Sequence, residues 1–387
     1  MNVCNVLMFQ TKTKLVIGAG SSAQTGPELR AMGANKVLVV TDKGIVSAGI
    51  LDHILPSVRE SGIETVLFDG VVANPRIKTV DDCIAVYRAN GCDGFLAVGG
   101  GSSMDTAKTA GVLATNPGGV LDYEGPNLVK NPMPPMVAIP TTYGTGAEVS
   151  PGAIITNEHK KYKMGIGDDW HMSPAVAILD PLLLLNLPPH IAASTGMDAL
   201  THAVESYVAV MAQPFSDAWN LQAIKMIADN LPSAVATTWD VEATANMLYA
   251  STMTGLAFST AGLGFVHSMT HALGGMFDMP HGVANALVLP YVMEYNLLAC
   301  PKKFADIARA MGENVDGLPM LDAAAKSVEA VRKLSKRLGI PQRLSEVGVD
   351  PSKIEEMAEW AFKDGNTACN PRPGSKEIFV QLFKAAM

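Results

Sequence analysis

GFLAVGGGSSMDTAK, residues 94–108, joins an apolar run of strand length to three glycines and the first turns of a helical pattern. A segment that passes from strand to helix in this way is half of a βαβ unit. Gly99, Gly100 and Gly101 let the backbone approach a ligand closely and adopt positive φ. The helix start then presents unpaired N–H groups at the positive end of its dipole. Together these features suit a pyrophosphate. They also suit a plain tight turn with Ser102 or Ser103 as N-cap, and the spacing is not G-x-G-x-x-G.

On either side the same texture repeats. Short apolar, β-rich runs occur at 14–17, 36–40, 64–68 and 136–139, with helical spacing over 23–32, 51–61, 80–89 and 104–114. This alternation predicts a parallel sheet flanked by helices. Two more runs, 153–156 and 162–166, flank a turn-like Asn157-Glu158-His159-Lys160 and predict a hairpin. A last strand is expected at 175–179. After Asp180 strand-like alternation stops and helical periods follow. Breaks are expected at Pro214, Pro232, Gly262 to Gly264, Pro280, Pro301, Pro319, Pro341 and Pro351. The expected organisation is therefore an α/β, Rossmann-like domain at 1–185 and an all-α domain at 186–387, which suits a chain of 387 residues.

Composition narrows the partners. The net charge of −8 argues against a nucleic-acid binder and an anionic membrane surface. No run reaches the roughly 18 apolar residues of a membrane span. The opening MNVCNVLMFQTKTK lacks the form of a secretory leader. Cys4, Cys83, Cys92, Cys300 and Cys369 are scattered, without C-x-x-C, so a zinc ribbon or disulfide frame is not expected and a reducing cytoplasm is.

Three segments carry candidate chemistry. Asp42 follows the run at 36–40. Past a strand's C-terminal end, a carboxylate can accept hydrogen bonds from ribose hydroxyls and repel a 2′-phosphate, favouring NAD over NADP; it can equally cap a helix. The stretch Pro140-Thr141-Thr142-Tyr143-Gly144-Thr145-Gly146 offers hydroxyls and glycines to a phosphate or ribose, or forms a polar turn. The third segment is the most specific. Asp198 and His202 are four apart, as are His267 and His271, so each pair shares a helix face. His281 follows in Pro280-His281-Gly282. One carboxylate and three imidazoles complete a tetrahedral shell for Fe(II) or Zn(II), so not all four histidines are needed. Glu205, one turn on, is either a support for that shell or an exposed-face residue. Residues 164–301 hold eleven acidic side chains and one basic one, Lys225. A bound dication offsets part of this charge, and a local Arg clamp for the substrate is absent; Lys160, Lys161, Lys163 or Arg372 would have to reach in.

The combination of G-G-G-S-x-x-D-x-A-K, P-T-T-x-G-T-G-x-E, G-M-D-A-L-T-H-A-x-E and H-x-x-x-H followed by P-H-G-V-A-N resembles the iron-containing (group III) alcohol dehydrogenases. The likeness runs from about Val16 to Arg372 and is strongest to the 1,3-propanediol, methanol and lactaldehyde branch. It implies a nucleotide-binding α/β domain and a helical metal domain with the active site in the cleft. It implies Asp198, His202, His267 and His281 as ligands of Fe(II) or Zn(II), and His271 as the additional histidine near the nicotinamide, a proton-relay candidate. Asp42, Asn74, Gly99, Gly100, Gly101, Ser102, Asp105, Thr141, Thr142, Thr145 and Lys163 match positions that contact NAD. Tyr143 and Phe258 are the substrate-pocket candidates. Tyr143 stands where a small residue is common, Ser259-Thr260 where Asn-Asn is frequent, and the loop 167–171 is unusual. The implied activity is metal-dependent, NAD(H)-linked interconversion of a small primary alcohol and its aldehyde, by a cytoplasmic homodimer or larger homo-oligomer. Alternatives are reduction of a short anionic aldehyde such as sulfoacetaldehyde, or lyase chemistry with transient use of NAD, as in the related dehydroquinate synthases.

Overall fold

The computed structural model describes residues 10–160 and 162–387. Cys4, most of the opening segment and Lys161 lie outside the described residues. The chain forms two compact units, one at Thr11–Leu187 and one at Pro188–Met387.

The first unit runs β1 (Lys14–Ile17), α1 (Thr25–Ala31), β2 (Lys36–Val40), α2 (Lys43–Ser47), α3 (Leu55–Glu60), β3 (Glu64–Phe68), α4 (Ile77–Ala89), β4 (Gly94–Gly99), α5 (Gly101–Thr115), β5 (Gly125–Pro126), β6 (Met136–Pro140), β7 (Gly152–Asn157), β8 (Tyr162–Gly167) and β9 (Val176–Leu179). Six strands form one parallel sheet in the order β1-β9-β6-β4-β2-β3. Every residue of β4, β6 and β9 is buried. Parallel strands covered on both faces read as continuous apolar runs, which is why these segments carry no alternation. Because β4 pairs with both β2 and β6, the residues just past these three C-terminal ends are neighbours. They are Thr41 and Asp42, the three glycines, and Thr141 and Thr142.

The expected hairpin is present, with β7 and β8 antiparallel from Gly152↔Gly167 to Asn157↔Tyr162. Its turn is fixed by Asn157, whose Oδ1 accepts from the N–H groups of His159 and Lys160 at 3.1 Å each. The unanticipated element is β5, which adds a parallel third strand to β8. A two-residue Gly-Pro strand has no periodicity to detect.

The second unit is helical: α6 (Pro189–Val208), α7 (Pro214–Ala236), α8 (Val241–Ala261), α9 (Phe265–Phe277), α10 (His281–Asn296), α11 (Pro301–Ala310), α12 (Met320–Arg337), α13 (Ile354–Lys363) and α14 (Lys376–Ala386). The break expected at Pro232 does not occur, since α7 continues to Ala236. Pro232 removes one backbone donor close to the helix end, and buried Ile224, Ile227 and Leu231 hold the helix in place. Pro290 likewise lies within α10. Pro280 is the N-cap of α10, so His281 is the first residue of that helix. Gly282 lets this first turn rest on α6, because a Cβ there would stand 2.3 Å from the Ser194 carbonyl oxygen. That close approach brings His281 beside the face of α6 that carries Asp198 and His202.

Candidate active site

In the helical unit four side chains converge. Asp198 and His202 come from α6, His267 from α9 and His281 from α10. One donor atom of each lies within 4.8 Å of all the others. Asp198, His202 and His267 are buried and His281 is half-buried. The Nε2 atoms of His202 and His281 stand 3.9 and 3.8 Å from Asp198 Oδ1. The rings of His202 and His267 stack at 4.7 Å.

The orientation of this cluster has identifiable causes. Glu205, on the same face of α6, is buried; its Oε1 accepts from the Val266 N–H at 2.6 Å and its Oε2 lies 2.5 Å from His267 Nδ1. A carboxylate in that place assigns the proton to Nδ1 and leaves the Nε2 lone pair of His267 for the cluster. Burial pushes the Glu205 carboxyl up to about 7, against the pull of the Val266, Gly264 and His267 N–H groups and of His202. Of the two readings of Glu205, the structure shows a buried support rather than an exposed-face residue. Asn285, one turn into α10, donates from Nδ2 to Asp198 Oδ1 at 2.6 Å and lies 3.2 Å from Nε2 of both His267 and His281. Asp198 Oδ1 and two imidazole Nε2 atoms thus surround the Asn285 amide nitrogen. One carboxylate and three imidazoles with donor atoms within 4.8 Å of one another, three of the four side chains buried, fit a divalent transition metal.

His271 lies one turn beyond His267 and outside the four-residue group. Its ring is 5.9 Å from that of His281 and 6.2 Å from that of His267. Its Nδ1 is 2.7 Å from Oδ2 of Asp364, which follows α13. Burial alone would raise the Asp364 carboxyl. The His271 imidazole and the N–H groups of Asn366 outweigh it and hold the group well below the usual carboxylate range. Phe258, on α8, packs its ring 4.7 Å from that of His202. Arg372 is engaged by Tyr295: it donates to the Tyr295 carbonyl at 2.7 Å and lies 4.1 Å over the Tyr295 ring.

In the α/β unit the glycine turn is walled by hydroxyl-bearing side chains. A Cβ on Gly99, which has φ 148°, would stand 2.4 Å from Ser103 Oγ and 3.8 Å from Asp42 Oδ2. On Gly100 it would meet Thr142 at 3.3 Å, and on Gly101 Thr145 Cγ2 at 2.8 Å. Added side chains would fill this cradle. Around it, the buried hydroxyls of Thr41, Ser103, Thr141 and Tyr143 have no partner among the described residues. Buried polar atoms are normally paired, so several such hydroxyls at neighbouring strand ends fit a polar ligand such as a dinucleotide. Asp42 does cap α2, accepting from the Ile45 N–H at 3.1 Å through Oδ1. Its Oδ2 remains on the glycine side. Ser102 sits in the first turn of α5, where its carbonyl accepts from Thr106.

Asp105 has a different setting. Its Oδ2 accepts from the Ile154 N–H at 3.0 Å and its Oδ1 is 3.5 Å from Lys108 Nζ. Lys108 is fully buried and donates to the carbonyls of Ala147, Ser150 and Gly152 and to Ser150 Oγ. Asn74, with φ 51°, accepts from Thr156 Oγ1 through its carbonyl, and Thr156 pairs across the hairpin with Lys163. Asn74 and Lys163 thus both adjoin Thr156 of the β7–β8 hairpin. Sequence reasoning did not single out Asp364, Asn285, Ser103 or Lys108 for these roles. Lys108, the sole lysine of α5, and Asn285 did leave a signal, since each closes one of the motifs quoted above.

No helix of the described residues is long and apolar enough to cross a membrane. Residues 12–181 match the model of the iron-containing alcohol dehydrogenases, and residues 192–387 match that of the Fe-containing alcohol dehydrogenase family, C-terminal. The chain is 47% identical over 371 residues to a 1,3-propanediol dehydrogenase of Klebsiella pneumoniae, covering 95% of this chain and 96% of that one. It is 41% identical over 372 residues to an NAD-dependent methanol dehydrogenase of Bacillus methanolicus, covering 96% and 97%. A crystal structure of 1,3-propanediol oxidoreductase superposes with a TM-score of 0.97 at 45% identity, over 99% of this chain and 100% of that one. With both units matched and near-complete coverage, the chain belongs to the iron-containing alcohol dehydrogenase family.

Proposed function

We propose that this enzyme interconverts a small, uncharged primary alcohol and its aldehyde with NAD(H), the substrate being of the 1,3-propanediol, methanol, ethanol or lactaldehyde type. The observation that carries this reading is the convergence of Asp198, His202, His267 and His281 within 4.8 Å. We assign these four as the ligands of Fe(II) or Zn(II). Gly99, Gly100 and Gly101 with Ser102, Thr141, Thr142 and Thr145 receive the pyrophosphate, and Asp42 receives the ribose. Asn74, Asp105 and Lys163 complete that site through the hairpin. When bound, the metal supplies Lewis acidity toward the substrate oxygen, and NAD supplies a hydride acceptor.

The chain's own residues do the rest. Glu205 keeps the Nε2 lone pair of His267 directed into the cluster. His271 takes up the hydroxyl proton of the alcohol and passes it toward solvent. Phe258, against His202, and Tyr143 are the residues we assign to the substrate wall. An uncharged substrate is favoured over an anionic aldehyde because Arg372 is held by Tyr295. We further read the protein as a cytoplasmic homodimer or larger homo-oligomer. The free cysteines Cys83, Cys92, Cys300 and Cys369 support the first part, and exposed Val210, Met211 and Phe215 the second.

The test is an aldehyde panel with NADH on protein loaded separately with iron and with zinc. Short uncharged aldehydes should be reduced fastest. Loaded protein that binds NADH yet reduces none of them would overturn the reading, and preference for sulfoacetaldehyde would replace the substrate class.

A further inference from the structure

Helix α9 carries two imidazoles one turn apart, and each is gripped through Nδ1 by a carboxylate from another element. His267 is held by Glu205 of α6 at 2.5 Å, and His271 by Asp364, after α13, at 2.7 Å. In both rings the carboxylate fixes Nδ1 as the donor, so that Nε2 is the acceptor nitrogen. The pairs differ in access. The His267 side chain is 2% exposed, whereas that of His271 is 11% exposed.

Asp364 is itself immobilised. Its Oδ1 accepts from the Asn366 N–H at 2.9 Å, from Asn366 Nδ2 at 2.8 Å and from Ser268 Oγ at 3.3 Å. It is the N-cap of the turn Gly365–Cys369. Behind that turn Asn370 is buried, accepting from the Phe265 N–H at 3.3 Å and from Asn296 Nδ2 at 3.0 Å. The Asp364 carboxylate therefore has one orientation, set by the start of α9 and by the segment that follows α13. A helix cap alone would use only the Asn366 N–H. The second oxygen is spent on His271.

We propose that Asp364 is a positioning residue that fixes the tautomer and plane of His271, so that Nε2 is the atom that takes the substrate proton. The proposal rests on the reading of His271 as the proton-transfer group. In alcohol oxidation the O–H bond breaks and its proton goes to His271 Nε2. The carbinol C–H bond breaks and its electron pair leaves with the hydrogen as hydride to NAD⁺, giving aldehyde and NADH. Nε2 then returns its proton to solvent, and the Nδ1 proton stays between His271 and Asp364 throughout. An asparagine at 364 can present an N–H to Nδ1, which selects the opposite tautomer and removes the acceptor at Nε2.

The experiment uses the metal-loaded holoenzyme in four forms: wild type, Asp364→Asn, His271→Ala and the double variant. Metal content and NADH affinity serve as controls. Asp364→Asn should lower kcat at least tenfold while KM for alcohol changes less than threefold, and Asp364→Glu should recover part of the loss. In the His271→Ala background Asp364→Asn should cost nothing more, because it acts through that ring. ¹⁵N-histidine spectra should show the Nδ1–H tautomer for His271 in wild type and its loss in Asp364→Asn. If His271→Ala is slow but Asp364→Asn matches wild type, or the two losses simply multiply, the positioning role is overturned alone. If His271→Ala matches wild type, the reading of His271 falls and this proposal with it.

Discussion

Replacing Lys108 by methionine isolates what one buried cation does for the cofactor half of the site. Lys108 is fully buried on α5. Its ammonium holds the carbonyls of Ala147, Ser150 and Gly152, the Ser150 hydroxyl and the Asp105 carboxylate. Ala147, Ser150 and Gly152 follow closely on Thr145, so the lysine ties the loop that walls the glycine turn to α5. Burial drags the Lys108 ammonium down and the Asp105 carboxyl up, and each is offset in part by the other. Methionine matches the stem in volume and keeps its packing. The loss is then chiefly electrostatic: a half-buried carboxylate without its cation, and backbone acceptors without a donor.

Removing one member of a buried ion pair costs about 3–5 kcal/mol. For a domain of this size each kcal/mol moves the midpoint by roughly 2–4 °C, so Lys108→Met should lower the Tm of the α/β unit by about 6–20 °C. Asp105→Asn combined with Lys108→Met should be more stable than Lys108→Met alone, because the stranded charge is gone. NADH should bind more weakly to Lys108→Met while metal content stays unchanged. The measurements are calorimetric melting, denaturant unfolding and NADH fluorescence titration. A Lys108→Met protein within about 1 kcal/mol of wild type, with normal NADH affinity, would refute the clamp and the magnitude together.

Three further outcomes follow from the geometry. Gly101→Ala places a methyl group 2.8 Å from Thr145 Cγ2, so NADH affinity should fall at least tenfold with metal content intact; an unchanged fluorescence titration counts against the cradle. Glu205→Gln weakens the grip on His267 Nδ1 and should lower metal affinity by about 10–100-fold in chelator competition, and equal retention of metal would contradict the support role. Asp364 has a folded pKa below its unfolded value of about 3.9, so its contribution to stability is present above that pH and is lost as pH falls through the folded value. The stability deficit of Asp364→Asn in denaturant titrations should therefore shrink as pH is taken below about 4, and a constant deficit excludes this linkage.

What the sequence makes legible depends on how far apart the interacting residues lie along the chain. The strands of the parallel sheet are readable because burial on both faces demands unbroken apolar runs, and β4 (Gly94–Gly99) is the clearest case. Asp198, His202 and Glu205 form a polar stripe on one face of an otherwise apolar helix, a pattern with no cheap structural explanation, so the start of a polar centre on α6 is visible at once. Local rules fail where meaning depends on a partner. Pro232 looks like a helix end, yet α7 passes through it because tertiary packing outweighs one missing donor. Glu205 is an ambiguous carboxylate until the fold brings His267, 62 residues away, onto it.

Asp364 shows the limit most sharply. In sequence it is an ordinary Asp-Gly-Asn turn, and it does cap that turn. Its second oxygen meets a ring 93 residues earlier, and no spacing rule links the two. The same holds for Asn285, which sits among the donor atoms while looking like any polar residue in the first turns of α10. Periodicity reveals residues that must share a face, because a helix fixes that geometry alone. The side chains that orient those residues come from other elements, and only the packing of α6, α9, α10 and the segment after α13 brings them into register. The groups expected to perform chemistry are thus legible earlier than the groups that aim them: Glu205 and Asn285 lie inside the quoted motifs but their partners do not show there, and Asp364 lies outside every one of them.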